Sequence, residues 1–150
     1  MSALRKLLAL SWSDRFLLIE AWFDLGIARL ALLTVPFKHI APHLGRQLPP
    51  DHPIRDLPTI HPVARRIAWA IDVMSRHTPW ESACLAQAVA GKHMLRRRGL
   101  SSRLFLGTRR DEAGGLAAHA WLQLGREIIL GGGGRPTFTA LSSFDDTPEP

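Results

Sequence analysis

The stretch "SRLFLGTRRDEAGGLAAHAWLQLGREIIL", residues 102–130, decides the fold. "SRLFLGTRR" alternates apolar with polar residues, "DEAGG" supplies turn chemistry, "LAAHAWLQL" alternates again, and "GR" leads into "EIIL". A period of two broken by short glycine-bearing connections predicts a meander of three antiparallel strands. Successive side chains of a strand point to opposite faces, so His119, Trp121 and Gln123 share one face of the middle strand and Ala118, Ala120, Leu122 and Leu124 the other. His119 therefore projects from a rigid sheet. The Gly131 to Gly134 run ends the third strand, and the "DDTPEP" tail reads as frayed.

Upstream of this meander the period is helical. "TPWESACLAQAVAGKHMLRRRG", residues 78–99, predicts a helix that starts near Trp80 to Ser82 and stops at Gly99, with Arg96, Arg97 and Arg98 complementing the negative end of its dipole. Before it, Pro62 suits the first turn of a helix in which Val63, Ile67, Ala70, Ile71 and Met74 recur at helical spacing, ending by Pro79. A capping box at Ser11 to Asp14 opens a long apolar run that predicts one helix ending near Thr34. In "PFKHIAPHLGRQLPPDHPIRDLPTIHP", residues 36–62, proline recurs too often for regular structure, so the segment reads as a surface linker or long arm. Helices first and an antiparallel sheet last predict an α+β domain with the cysteine-bearing helix packed on one sheet face. With 150 residues and 46% hydrophobic content the chain has material for one core. Residues 1–50, the helical N-terminal segment and the proline-rich arm, belong to the same unit as the domain proper, residues 51–150.

The net charge of +6 is carried almost wholly by arginine, since Lys6, Lys38 and Lys92 are the only lysines. Arginine favours bidentate contacts to carboxylates or phosphates. No helix-turn-helix, zinc-finger or aromatic RNA-binding signature accompanies these arginines, so no nucleic-acid partner is expected. No transmembrane segment is expected either: Glu20, Asp24 and Arg29 interrupt the long apolar run, and a charge near a bilayer centre costs roughly 2.5–3.5 kcal/mol. A single cysteine excludes an internal disulfide, and no secretory signal is apparent, which together favour a cytoplasmic, reduced setting.

That cysteine, Cys84, falls in the first turn of its helix, with Ser82 as the expected cap. A helix N-terminus offers unpaired N–H groups and a positive dipole end, which favour a thiolate and could hold the oxyanion of a tetrahedral intermediate. The nucleophile needs a base within hydrogen-bond reach. Of the seven histidines His119 alone is centred in a strand, whereas His93 shares the cysteine's helix more than two turns on and cannot reach the thiol. Without further support, a small buried cysteine and an unrelated sheet histidine would explain the same residues. No CxxC exists and Pro42 breaks the path between His39 and His43, so no metal site is expected.

At these residues the sequence resembles a known family. "PWESACLAQAVAGKHMLRRRGL", the strand ending "GTRR" and above all "AHAW" are similar to the core of the transglutaminase-like leader peptidases of lasso peptide biosynthesis, the B protein in its standalone form. The N-terminal "LRKLLALSWSDRFLLIEAWFDLGIARLALLTVPF" is similar to that family's helical preface. The resemblance implies a transglutaminase/papain-like core and a cysteine peptidase, without a cofactor, that removes the leader from a ribosomally made precursor peptide. Cys84 would match the nucleophile and His119 the base. It also implies two protein partners: a separate leader-recognition protein, and an asparagine-synthetase-like cyclase that acts afterwards. The family's aspartate belongs on the strand after the histidine's, where this chain reads "EIILGGGG". Glu127 as third member, Gln123 or a backbone carbonyl could each orient the imidazole instead. An acyltransferase on the same fold and a non-catalytic peptide-binding scaffold are the alternatives. Trp12, Trp22 and Phe23 offer either core packing or a docking face, and Arg96 to Arg98, Arg109 and Arg110 could attract an acidic leader.

Overall fold

The computed structural model describes residues 2–55, 61–132 and 138–148. The later glycines of the Gly131 to Gly134 run and the last two residues of the tail lie outside them.

Five helices and five strands follow one another as α1 (Ala3–Leu8), α2 (Trp12–Thr34), α3 (Phe37–Ile40), β1 (Arg46–Leu48), α4 (Pro62–Ser75), α5 (Cys84–Arg97), β2 (Arg103–Arg110), β3 (Leu116–Leu124), β4 (Glu127–Leu130) and β5 (Thr139–Asp145). The strands form one antiparallel sheet in the order β1-β5-β2-β3-β4. This is the expected α+β arrangement, with a helical N-terminal segment ahead of the sheet.

The expected meander forms β2, β3 and β4, with Phe105 opposite Trp121 and Gly107 opposite His119. Three expectations are corrected. The sheet has two more strands: the tail supplies β5, and the proline-rich segment supplies β1, which pairs Gln47 with Phe144. That segment is also more regular than its prolines suggest, because α3 and a 3-10 turn at Ala41–Leu44 fit between Pro36 and Gly45. Proline is tolerated in a first helical turn, and Pro42 takes that place in the 3-10 turn. The start of the "DDTPEP" tail is not frayed, since Asp146 accepts from Ser102 N at 2.6 Å and pairs with Arg96 at 3.2 Å.

Helices α4 and α5 cover one face of the sheet, and α2 packs across both of them. Leu17, Leu18, Ala21, Leu25 and Ala28 of α2 join Ile67 and Ile71 of α4, Met94 and Leu95 of α5, and Leu104, Leu122 and Phe144 of the sheet in one core. α5 lies close on the strands because Gly91 lacks a side chain: a Cβ there would stand 2.6 Å from Leu130 Cδ1 and 3.2 Å from Leu122 Cδ2. Glu20 and Asp24, which interrupt the apolar run of α2, face α5. Arg97 bonds both carboxylates, Arg98 holds Glu20 at 2.6 Å, and His93 Nδ1 lies 3.0 Å from Asp24. Arg97 and Arg98 thus clamp two helices, and Arg96 bonds Asp146 and His43 O, so the triple arginine does more than complement a dipole. Among the described residues no helix is long and apolar enough to cross a membrane.

Candidate active site

Cys84 is the first residue of α5 and is half-buried against the core. The cap is Ala83 and not the expected Ser82, whose hydroxyl is engaged 2.8 Å from that of Thr78. No side chain caps this terminus, so the first-turn amides lack intrahelical partners and remain donors. The segment before Cys84 is fixed from behind. Thr78 Oγ1 donates to Trp80 O at 2.9 Å, and the Trp80 ring packs edge-on to Trp22 at 4.8 Å and over Gly26. A Cβ on Gly26 would meet that ring at 3.1 Å, so the small residue in α2 makes room for the tryptophan that precedes the thiol.

His119 lies on β3 in a row of rings. Its imidazole stacks on Trp121 at 6.1 Å and tilts against Phe138 at 4.8 Å, and Trp121 stacks on Phe105 at 5.3 Å. Nε2 is 2.7 Å from the carbonyl oxygen of Gly131. A carbonyl only accepts, so Nε2 carries the proton and Nδ1 is left as the basic nitrogen. Gly131 has φ +78°, and its ideal Cβ position would fall 2.5 Å from Ala120 O. The carbonyl reaches the ring because this residue has no side chain.

The two residues come to the same end of the sheet. α5 ends beside the C-terminal end of β3, since Gly99 and Leu100 line a cavity with Leu124 and Gly125, while Gly91 sits over Leu122. Its N-terminus, with Cys84, is therefore directed toward the His119 end of the strand. They leave the sheet from different faces, however. Leu122 points to α5, and His119, three positions away, belongs to the opposite face with Trp121 and Gln123. Among the described residues no hydrogen bond joins thiol and imidazole.

Neither side-chain candidate for the third member touches the imidazole. Glu127 stands at the far end of β4, opposite Leu124, with Arg65 at 3.9 Å. Gln123 is buried next to Arg103, and its Oε1 has no partner. The Gly131 carbonyl is the group that holds the ring, and a glycine run closing the strand after "AHAW" is the signal in the sequence that points to it. Arg96, Arg97 and Arg98 are committed to Asp146, Glu20 and Asp24. Among the described residues no group of three or more His, Cys, Asp or Glu is placed to hold a metal ion.

A family model described as the transglutaminase-like superfamily matches residues 27–143, which run from the middle of α2 through β5. The chain belongs to the transglutaminase-like superfamily. No curated protein and no solved structure matches it. Members of the superfamily are commonly cysteine-dependent enzymes, among them peptidases and acyltransferases. In this transglutaminase-like chain the only cysteine opens the helix that packs on the sheet.

Proposed function

We propose that this chain is a cysteine peptidase that removes the leader from a lasso peptide precursor, with the leader delivered by a separate recognition protein and the product passed to an asparagine-synthetase-like cyclase. The observation that carries the reading is the His119 ring held through Nε2 by Gly131, which leaves Nδ1 basic at the sheet end toward which the uncapped thiol helix points.

In the proposed reaction Nδ1 of His119 takes the thiol proton and Cys84 Sγ attacks the scissile carbonyl carbon. The oxyanion forms beside the free first-turn amides of α5, which stabilise charge that develops only in the transition state. Collapse of the tetrahedral intermediate breaks the C–N bond. The imidazolium returns its proton to the leaving amine, and a thioester to the leader remains. Water, deprotonated by the same nitrogen, attacks the thioester and releases the leader acid with the thiol restored. The proposed proton transfer requires the first turn of α5 to carry the thiol round the end of the sheet to within hydrogen-bond reach of Nδ1.

The face assignment of His119 favours a second reading, a non-catalytic peptide-binding protein that keeps the fold. Mass spectrometry of a precursor incubated with this protein, with and without the recognition protein, separates the two. Two fragments with wild type and none with Cys84→Ala establish the peptidase, and His119→Ala is expected to lower cleavage by roughly a hundredfold or more. A precursor joined to an amine would identify an acyltransferase. Intact precursor in every tube, with the recognition protein shown to bind both peptide and this chain, would establish the scaffold.

A further inference from the structure

α2 is apolar on both sides. Leu17, Leu18, Ala21, Leu25 and Ala28 face the core, while Trp12, Phe16, Ile19, Phe23, Leu30 and Leu33 face outward, exposed from 54% at Ile19 to 72% at Trp12. A helix with apolar rows on two opposite sides is one that is covered on both. With Gly26, the outward residues are spaced alternately four and three apart along the helix, which is the heptad seam of one helix packed on another. The Trp80 ring fills the place of the missing side chain at Gly26.

The acidic residues of α2 are turned away from the seam, since Asp14 binds Arg66, and Glu20 and Asp24 bind the arginines of α5; Arg15 lies beside it, stacked 4.8 Å over the Trp12 ring and bonded to Leu8 O. Covering the seam strands no carboxylate. With roughly 150–250 Å² for each aromatic side chain, the exposed parts of the six residues amount to on the order of 800 Å². That exceeds the few hundred Å² of a usual monomer patch and equals about what each side contributes to a standard interface. Beside the seam, Leu7, Leu18, Ile19, Trp22, Phe23 and Met74, with Arg15 at its edge, line a cleft of about 390 Å³, room for an incoming aromatic ring.

We propose that the occupant is α2 of a second copy of this chain, packed antiparallel across a twofold axis near Phe23. A twofold interface requires a patch complementary to itself, and an apolar seam at heptad spacing meets that condition because each copy brings the same knobs and holes. A bilayer requires no heptad register. The opposite side of α2 holds α5, so the paired seam braces the helix that carries Cys84.

Analytical ultracentrifugation of the full chain over a roughly hundredfold concentration range reads the proposal directly. The expected result is a species of twice 16.7 kDa whose association weakens by about tenfold or more in Phe23→Glu and, separately, in Leu30→Glu, with unchanged circular dichroism. A monomer at every concentration, or variants that associate like wild type, would overturn it. So would a monomer that sediments with anionic phospholipid vesicles and loses that binding in Phe23→Glu, which would make the seam a membrane contact.

Discussion

At Gly131 the backbone takes the place of a side chain. The family resemblance puts a carboxylate in this region, yet φ +78° and the approach to Ala120 O leave no room for a Cβ. The residue offers its carbonyl to Nε2 of His119 instead. Gly131→Ala is therefore expected to lower stability by about 1–3 kcal/mol and to release the ring, read as a lower denaturation midpoint together with slower precursor cleavage. Gly131→Asp should fail in the same way despite its carboxylate, because the clash occurs at Cβ. Glu127→Gln should leave cleavage within about twofold, since Glu127 faces Arg65 and not the imidazole. A loss of about a hundredfold in Glu127→Gln would instead make that carboxylate the orienter. Residue type and place in an element single out Cys84 and His119 as the candidates for chemistry. They do not show which backbone oxygen a ring will find, because that depends on a positive φ and a crossing of two strands.

Elements are tied to one another here by charges the apolar pattern does not explain. Lys92 on α5 is fully buried, donates to Ser102 O at 2.5 Å and lies 3.3 Å from Asp146, so one ammonium joins the thiol helix, the start of β2 and the end of β5. Burial pushes its pKa down from 10.5 to about 8, with Asp146 pulling it back upward. The folded chain thus holds this proton less tightly than the unfolded chain. Stability should be constant below about pH 8 as far as this group is concerned, rise between about 8 and 10.5, and level off above that. Urea unfolding at steps across that window should show the midpoint climbing in wild type and flatter in Lys92→Met; parallel curves would exclude Lys92 as the source. The three long helices were legible from their periods and stops: the sequence predicts an end of α2 near Thr34 and Gly99 as the stop of α5, and the structure agrees, whereas α1 and α3 carry too few turns to show a period. The clamps of the long helices were not, because Glu20, Asp24 and Arg97 meet only after two helices distant in sequence have packed.

At the scale of the molecule, the proline-rich segment closes the sheet. β1 pairs with β5, and Arg103 donates to the backbone carbonyls of Pro49 and His52, so the segment after α2 lies on the sheet that the C-terminal half builds. A sequence rich in proline hides such a strand, since three residues at a sheet edge carry almost no periodic signal. The N-terminal helices differ from each other in the same respect. α1 buries no residue and is bonded to α2 by Arg15 through Leu8 O at 2.5 Å, whereas α2 supplies Leu17, Leu18, Ala21, Leu25 and Ala28 to the core. Deleting residues 2–8 should therefore leave a cooperatively folding protein whose midpoint falls by only a few degrees, the shift of about 1 kcal/mol in a chain of this size. Deleting residues 2–34 removes five core side chains, the three leucines worth roughly 1.5–3 kcal/mol each, together with the carboxylates that clamp α5, a loss comparable to a typical stability of about 5–15 kcal/mol. That shorter chain should show no cooperative thermal transition, even though it retains Cys84, His119 and most of the residues that match the superfamily. A cooperative melt near the wild-type midpoint would mean that α5 and the sheet hold the thiol in place without α2.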